Sequence, residues 1–252
     1  MTLIEAHDVT KMFGAFRAID GISLSVSEGE FVSIVGPNGA GKTTLVNLLT
    51  GLLRPTSGTV MFKGENIGGI GPVALAERGM ARAFQLVQIF PQMSVAETLA
   101  TAVVSRRKIS WRMFSSVADD EHVQRRVREI AVAFGLEHRL QTQSRLLAQG
   151  EKKLLDVASA FALEPEVILL DEPTSGVSTA EKHGLMKTLV NAAKSAGIKA
   201  IILIEHDMDL VAAYSDRIVA LSEGRVLADL PPEPFFADAM LIETVIGKRR
   251  RH

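Results

Sequence analysis

Between residues 22 and 27, apolar Ile22, Leu24 and Val26 alternate with Ser23, Ser25 and Ser27, the two-residue period of a strand with one buried face. The first sixty or so residues read as strands and turns of this kind. Glu28-Gly29-Glu30 makes a turn, and Phe31 to Val35 is a short unbroken apolar run entering a glycine-rich loop. A helix through Leu45 to Thr50 follows, with Gly51 placed to end it. Arg54-Pro55-Thr56-Ser57-Gly58 predicts a turn, and Thr59 to Phe62 another strand. The period then changes. From about Val95 to Leu146 the chain is rich in Ala, Arg, Glu and Gln and reads as helices. Val123, Val127, Ile130, Ala131 and Phe134 fall at helical spacing, as a packing stripe would. This stretch is expected to be an inserted helical subdomain.

Val167 to Leu170 is again continuously apolar, the pattern of a strand covered on both faces. Ser178 with Glu181 predicts a capping box for a helix reaching about Ser195. Gly197 ends it, and Ala200 to Ile204 is a second buried strand. Ile218 to Leu221 and Arg225 to Leu227, joined by Ser222-Glu223-Gly224, predict a hairpin. Strands alternating with helices imply a parallel sheet with crossovers.

Composition narrows the class. The 252 residues are 47% hydrophobic and 23% charged, the balance of a globular chain with a core rather than a disordered one. Lys and Arg total 28 against 29 Asp and Glu, a net charge of -1, which argues against nucleic acid as a general partner. With no cysteine there is neither a disulfide framework nor a thiolate ligand. Met1 to Glu5 lacks the basic start and apolar core of a signal peptide. No apolar run is long enough to span a bilayer, so any membrane role is expected to come through a partner.

The chemistry concentrates at three strand ends. Gly36-Pro37-Asn38-Gly39-Ala40-Gly41-Lys42-Thr43-Thr44 fits G-x-x-x-x-G-K-[ST], with a strand before it and a helix after. A triphosphate needs several negative charges held without clashing side chains. Glycines let backbone N–H groups wrap the phosphates, and a helix N-terminus adds a favourable dipole. Lys42 can reach the terminal phosphates, and the Thr43 hydroxyl can ligate Mg²⁺. The alternative is a plain Gly-rich turn, yet the four fixed positions coincide by chance in only roughly one such chain in a hundred. Asp171 and Glu172 end the Val167 strand, where ligands of open parallel sheets bind and where Lys42 is also expected. Asp171 is then placed to hold Mg²⁺ through water, and Glu172 to polarise a water for attack on the γ-phosphate. Read blandly, they are an acidic turn. Ile204-Glu205-His206-Asp207 ends the next buried strand, and His206 is either a structural histidine or a hydrogen-bond donor to the γ-phosphate.

Together these residues resemble the ATPase subunits of ABC transporters over nearly the whole chain. The implied fold is α/β: a P-loop NTPase with a parallel-sheet core, an N-terminal antiparallel β-subdomain and an inserted helical subdomain. The single domain divides into a catalytic core at about 1–92 and 160–230, helices at about 93–159 and a C-terminal extension at about 231–252. Arg82-Ala83-Phe84-Gln85 sits where the family has its Q-loop, implying that Gln85 touches Mg²⁺ and the attacking water. Phe13 matches the aromatic that stacks on adenine, the alternative being a core Phe. Ser175-Gly176-Val177-Ser178 occupies the D-loop, with Ser178 for the usual Asp. The family signature Leu-Ser-Gly-Gly-Gln appears as Leu147-Ala148-Gln149-Gly150-Glu151. Ala148 has no hydroxyl to give a γ-phosphate, so that contact falls to backbone amides and a helix N-terminus. Ser159 stands where an Arg usually follows.

Phe90-Pro91-Gln92-Met93-Ser94-Val95 after the Q-loop, Leu203-Ile204-Glu205-His206-Asp207-Met208 and Glu243-Thr244-Val245-Ile246-Gly247 are similar to the branch serving branched-chain amino-acid importers. The resemblance implies ATP and Mg²⁺ as cofactors. It implies a homodimer, or a heterodimer with a second ABC ATPase, in which the signature acts in trans. It also implies transmembrane permease subunits, indirectly a solute-binding protein, and a peripheral place on the cytoplasmic face of the inner membrane. Leu86, Val87, Ile89 and Phe90 are either a groove for a permease helix or core. The terminal Lys248-Arg249-Arg250-Arg251-His252 reads as a solvated tail. The rival readings are a non-transport ABC ATPase and a nucleotide-dependent interaction module with weak hydrolysis, the latter motivated by Ala148 and Ser178.

Overall fold

The computed structural model describes residues 1–83, 90–106 and 120–246. In chain order these form β1 (Thr2–Phe13), β2 (Phe16–Ser27), β3 (Phe31–Val35), α1 (Lys42–Leu49), β4 (Ser57–Phe62), β5 (Glu65–Asn66), α2 (Pro72–Glu77), β6 (Met80–Ala83) and α3 (Val95–Arg106). The described chain continues with α4 (Glu121–Ala133), α5 (Gln149–Phe161), β7 (Val167–Asp171), α6 (Thr179–Ser195), β8 (Ala200–Ile204), α7 (Met208–Tyr214), β9 (Arg217–Ser222), β10 (Arg225–Leu230), α8 (Pro232–Ala237) and α9 (Ala239–Ile246). Contacts gather the chain into two compact units, Met1–Met80 with Lys199 onward, and Ala81–Ile198.

The first unit holds two sheets. One is antiparallel in the order β2-β1-β4-β5. Its β2 buries Ile22, Leu24 and Val26 while Ser23 and Ser25 are exposed, as the alternation requires. In the other, β3 lies between β9 and β8 and is parallel to both, with Ile34 opposite Ile204 and Val35 opposite Ala220. Every residue of β3 and β8 is buried, which explains their unbroken apolar runs. The expected hairpin is β9–β10, antiparallel. Helix α1 buries Leu45, Val46, Leu48 and Leu49 and gives way to Gly51 at φ +63°, a left-handed position that suits glycine. The C-terminal helices are anchored through Phe235 and Val245, which join Val35, Val211, Ile218 and Ala220 in one core cluster. The basic tail from Lys248 lies outside the described residues.

The second unit carries the helices of the middle segment together with β6, β7 and α6. The stripe on α4 is buried as expected, and Phe134 meets Phe161 of α5 edge-to-face at 5.0 Å. Asp120 starts α4 by accepting from the N–H groups of His122 and Val123 at 2.9 and 3.3 Å. Helix α3 opens on a reciprocal box: the Ser94 N–H donates to Glu97 at 2.7 Å and the Glu97 N–H to Ser94 Oγ at 3.2 Å. The helices expected as far as Leu146 end earlier, at Ala133. Gly135 at φ +67° ends the α4 region, and only single 3-10 turns follow at Glu137–Arg139 and Ser144–Leu146. The box expected at Ser178 is also not made. Helix α6 starts and stops where the pattern places it, and the Ser178 hydroxyl donates to the Glu181 carboxylate, but no backbone N–H of the first turn donates to the Ser178 side chain. Among the described residues no helix is long and apolar enough to cross a membrane.

Candidate nucleotide site

In the first unit, β3 delivers the chain into the loop of residues 36–41, and α1 begins at Lys42. Two glycines are dictated by the space they occupy. A Cβ on Gly36 would lie 2.4 Å from the Leu221 carbonyl oxygen, and one on Gly41, at φ +100°, 2.8 Å from that of Ala18. From behind, the Gly224 N–H in the β9–β10 turn donates to the Ala40 carbonyl at 3.0 Å. The loop is therefore pinned by backbone on both sides, leaving its open face toward the start of α1. Lys42 is 8% exposed. Its ammonium folds over the loop and donates to the carbonyls of Gly36 at 2.7 Å and Pro37 at 3.1 Å. Thr43 is exposed. Because β8 runs parallel to β3 in register, His206 emerges at the same sheet edge as the loop. Its turn is fixed by Glu205, a 4% exposed carboxylate that accepts from the N–H groups of His206 and Asp207 at 2.8 and 3.3 Å. Phe13 closes β1 with its ring 48% exposed and the Lys11 ammonium 5.3 Å from its centroid, so it is no core residue.

In the second unit, Asp171 is the last residue of β7, beside β6. Arg82 Nη2 on β6 donates to Asp171 Oδ2 at 2.5 Å, with the two side chains 10% and 7% exposed. Glu172 follows at φ +49°, a left-handed conformation that a non-glycine residue holds only when its surroundings impose it. Here its carbonyl accepts from the Ser175 N–H at 3.1 Å and from Lys153 Nζ at 3.4 Å. The same ammonium donates to Ser175 Oγ at 3.0 Å. Lys153, only 6% exposed, thus ties α5 to the backbone that aims Glu172. Leu147 is buried, while Ala148 and Gln149 are exposed just before and at the start of α5. The Ala148 N–H donates to Glu151 at 2.9 Å; with no hydroxyl at 148 the other half of a capping box is missing. Burial raises the Glu151 pKa, but the bonds from Ala148 and Arg139 outweigh it, leaving the carboxyl below its ordinary value.

Residues 19–175 match the family described as ABC transporter. The chain belongs to that family. Its relatives include the high-affinity branched-chain amino acid transport ATP-binding proteins BraF of Pseudomonas aeruginosa, 34% identical, and LivG of Escherichia coli, 32% identical, each matched over 98% of both chains. Two structures of MJ1267, an ATP-binding cassette of an ABC transporter, cover 98% of this chain and all of their own. One is 29% identical with a TM-score of 0.86; the other, in the ADP conformation, is 28% identical with a TM-score of 0.83. Fold and enzyme class are those of an ABC ATPase.

The phosphate loop, Phe13 and His206 of this ABC ATPase lie in one unit. Asp171, Glu172, Ser175, Ser178 and Leu147 to Glu151 lie in the other, and Gln85 falls outside the described residues. The donor chemistry suits Mg²⁺. Asp171 in one unit and Thr43 in the other each offer a hard oxygen, the donor type this ion takes. No group of three or more His, Asp or Glu among the described residues could cage a metal alone.

Three residues of the site escaped the sequence reading. Arg82 stood in a motif but had no role. Lys153 did carry a signal, being a lysine on the buried face of α5 with Val157 and Ala160 at helical spacing. Glu205 could be suspected only as an acidic residue continuing a buried strand.

Proposed function

We propose that this chain is the ATP-hydrolysing subunit of an importer for branched-chain or other hydrophobic amino acids. It works as a head-to-tail dimer docked on permease subunits at the cytoplasmic face of the membrane. The observation that carries this is the buried Lys42 ammonium held over its own loop at the start of α1, where it donates to the carbonyls of Gly36 and Pro37. A nucleotide's terminal phosphates are a stronger acceptor for that ammonium than two neutral carbonyls, and the first turn of α1 adds N–H donors of the right polarity. Phe13 offers a half-exposed face for adenine. Thr43 and Asp171, with Gln85, would hold Mg²⁺, which would supply charge neutralisation for the phosphates. Glu172 takes the proton of the attacking water, and His206 donates to the γ-phosphate. The names of the relatives, branched-chain amino acid transport ATP-binding proteins, support the amino-acid reading.

Gly150 supports the contribution in trans from Leu147 to Glu151. It sits in the first turn of α5, where glycine costs about 1 kcal/mol relative to alanine. Its own unit does not require it, since an added Cβ would meet only Val177 at 4.0 Å. Close approach of a partner's phosphate would. The test is ATP turnover and nucleotide retention. Lys42→Ala is expected to lose both. Glu172→Gln is expected to keep ATP, to lose at least about 100-fold in turnover and to accumulate as a dimer. Undiminished turnover in either variant overturns the assignment. Turnover absent from the unaltered chain even with its permease would favour a nucleotide-dependent interaction module, the reading that Ala148 and Ser178 motivate.

A further inference from the structure

We propose that Lys11 is a positioning residue for nucleotide binding: its ammonium covers one face of the Phe13 ring and so fixes in advance the face left for adenine. The inference rests on the nucleotide reading above, and it assigns a residue that touches neither base nor phosphate. Phe13 is the last residue of β1, just before Gly14 at φ +58° turns the chain back toward β2. Its ring is 48% exposed, so core packing does not choose among its staggered χ1 wells. Lys11 does. Its Nζ lies over the ring, 5.3 Å from the centroid, within the distance at which an aromatic face attracts a cation. The ammonium is itself fastened, donating to the Arg54 carbonyl at 2.8 Å. That acceptor is neutral, so the bond fixes the head without cancelling the charge that faces the ring.

Two further bonds steady the anchor. The Met12 N–H donates to Thr56 Oγ1 at 3.0 Å, and the Thr56 N–H to the Thr10 carbonyl at 2.8 Å. Residues 10–12 are thus strapped to the turn between α1 and β4 that carries Arg54, and all of them belong to the unit that holds the phosphate loop. A freely rotating ring would lose its rotamer freedom as a base stacked on it, and that ordering weakens binding. With Lys11 in place the ring is ordered at folding, before nucleotide arrives.

The experiment is a double-mutant cycle on the full-length chain, reading the dissociation constant of a non-hydrolysable ATP analogue by calorimetry. Phe13→Ala is expected to weaken binding at least about fivefold, because it removes the aromatic under the base. Lys11→Met keeps the stem and removes the charge, and is expected to weaken binding about threefold to tenfold. Lys11→Arg, which keeps a cation over the ring, is expected to recover most of that loss. In Phe13→Ala the further change Lys11→Met is expected to alter affinity by no more than about twofold, since no ring is left to position. Lys11→Met binding as tightly as the unaltered chain overturns the proposal. So does a full further loss from Lys11→Met on top of Phe13→Ala, which would mean that the ammonium acts on the phosphates or on the strand instead. Should Lys11→Met not fold, Lys11→Gln takes its place in the cycle. Unchanged binding in Phe13→Ala would sink adenine stacking at Phe13, and this inference with it. An unaltered chain that binds no nucleotide would sink the nucleotide reading as a whole.

Discussion

At the scale of single residues, the least expected feature is a buried lysine bonded to the backbone of an acidic residue of the site. Lys153 donates to the backbone oxygen of Glu172 and to the hydroxyl of Ser175, so it holds the backbone that directs Glu172. The left-handed φ of +49° at Glu172 costs on the order of 1 kcal/mol and would relax if its acceptor lost a donor. A general base must sit within hydrogen-bond reach of its water, and small misplacements are expensive. Lys153→Met keeps the buried stem and removes the donor. It is expected to lower kcat by about tenfold or more while leaving the KM for ATP within about twofold, with Arg at the same position restoring part of the rate. A merely structural loss would lower the melting temperature and raise KM along with it. Equal kcat in the two proteins would end the positioning argument.

At the scale of elements, what could be read from the chain depended on how local the cause was. β3, β7 and β8 were legible because strands buried on both faces must be apolar throughout. The phosphate loop was legible because its spacing is itself the chemistry. The bond from Arg82 to Asp171 joins residues 89 apart in sequence, and nothing near either one announces it. Ser178 with Glu181 shows a subtler limit. Its pattern is that of a capping box, yet the box also needs a first-turn N–H aimed at the hydroxyl oxygen, and pattern alone does not supply that geometry. Ser94 with Glu97 carries the same spacing and does form the box at the head of α3. The N–H and hydroxyl of Ser94 both donate to Glu97 and hold its carboxyl below its ordinary value. A lowered folded pKa means that the contribution is complete above the unfolded value near 4.5 and fades as pH falls through the folded value. Ser94→Ala is expected to cost about 1 kcal/mol at neutral pH, and Glu97→Ala is expected to lower the melting temperature at pH 7. The Glu97→Ala gap should narrow as the pH drops below about 4.5. A gap that widens in acid would show that Glu97 does not stabilise α3 as an anion.

At the scale of the whole molecule, one chain carries one phosphate loop and one Leu147 to Glu151 segment, and the arrangement in trans proposed above makes a distinctive demand. Lys42→Ala destroys the half of a site that holds phosphates, and Gly150→Asp the half that a partner presents, by placing a carboxylate against the γ-phosphate. Each variant alone has no intact site. In a mixed dimer both faults fall in one composite site, because the damaged loop of one chain faces the damaged segment of the other. The remaining site then pairs a sound Lys42 with a sound Gly150. Random mixing in equal amounts makes about half the dimers mixed, each with one good site of two, so about a quarter of the native number of sites should return. The readout is ATP retained after rapid gel filtration, with phosphate release measured in parallel. Were each chain to build its site from its own residues alone, mixing two defective proteins could restore nothing, and a mixture as inactive as its components would refute the head-to-tail homodimer. A chain that instead works beside a second, different ATPase would show the same rescue only between the two partners, which turns the choice between homodimer and heterodimer into a choice of which proteins to mix.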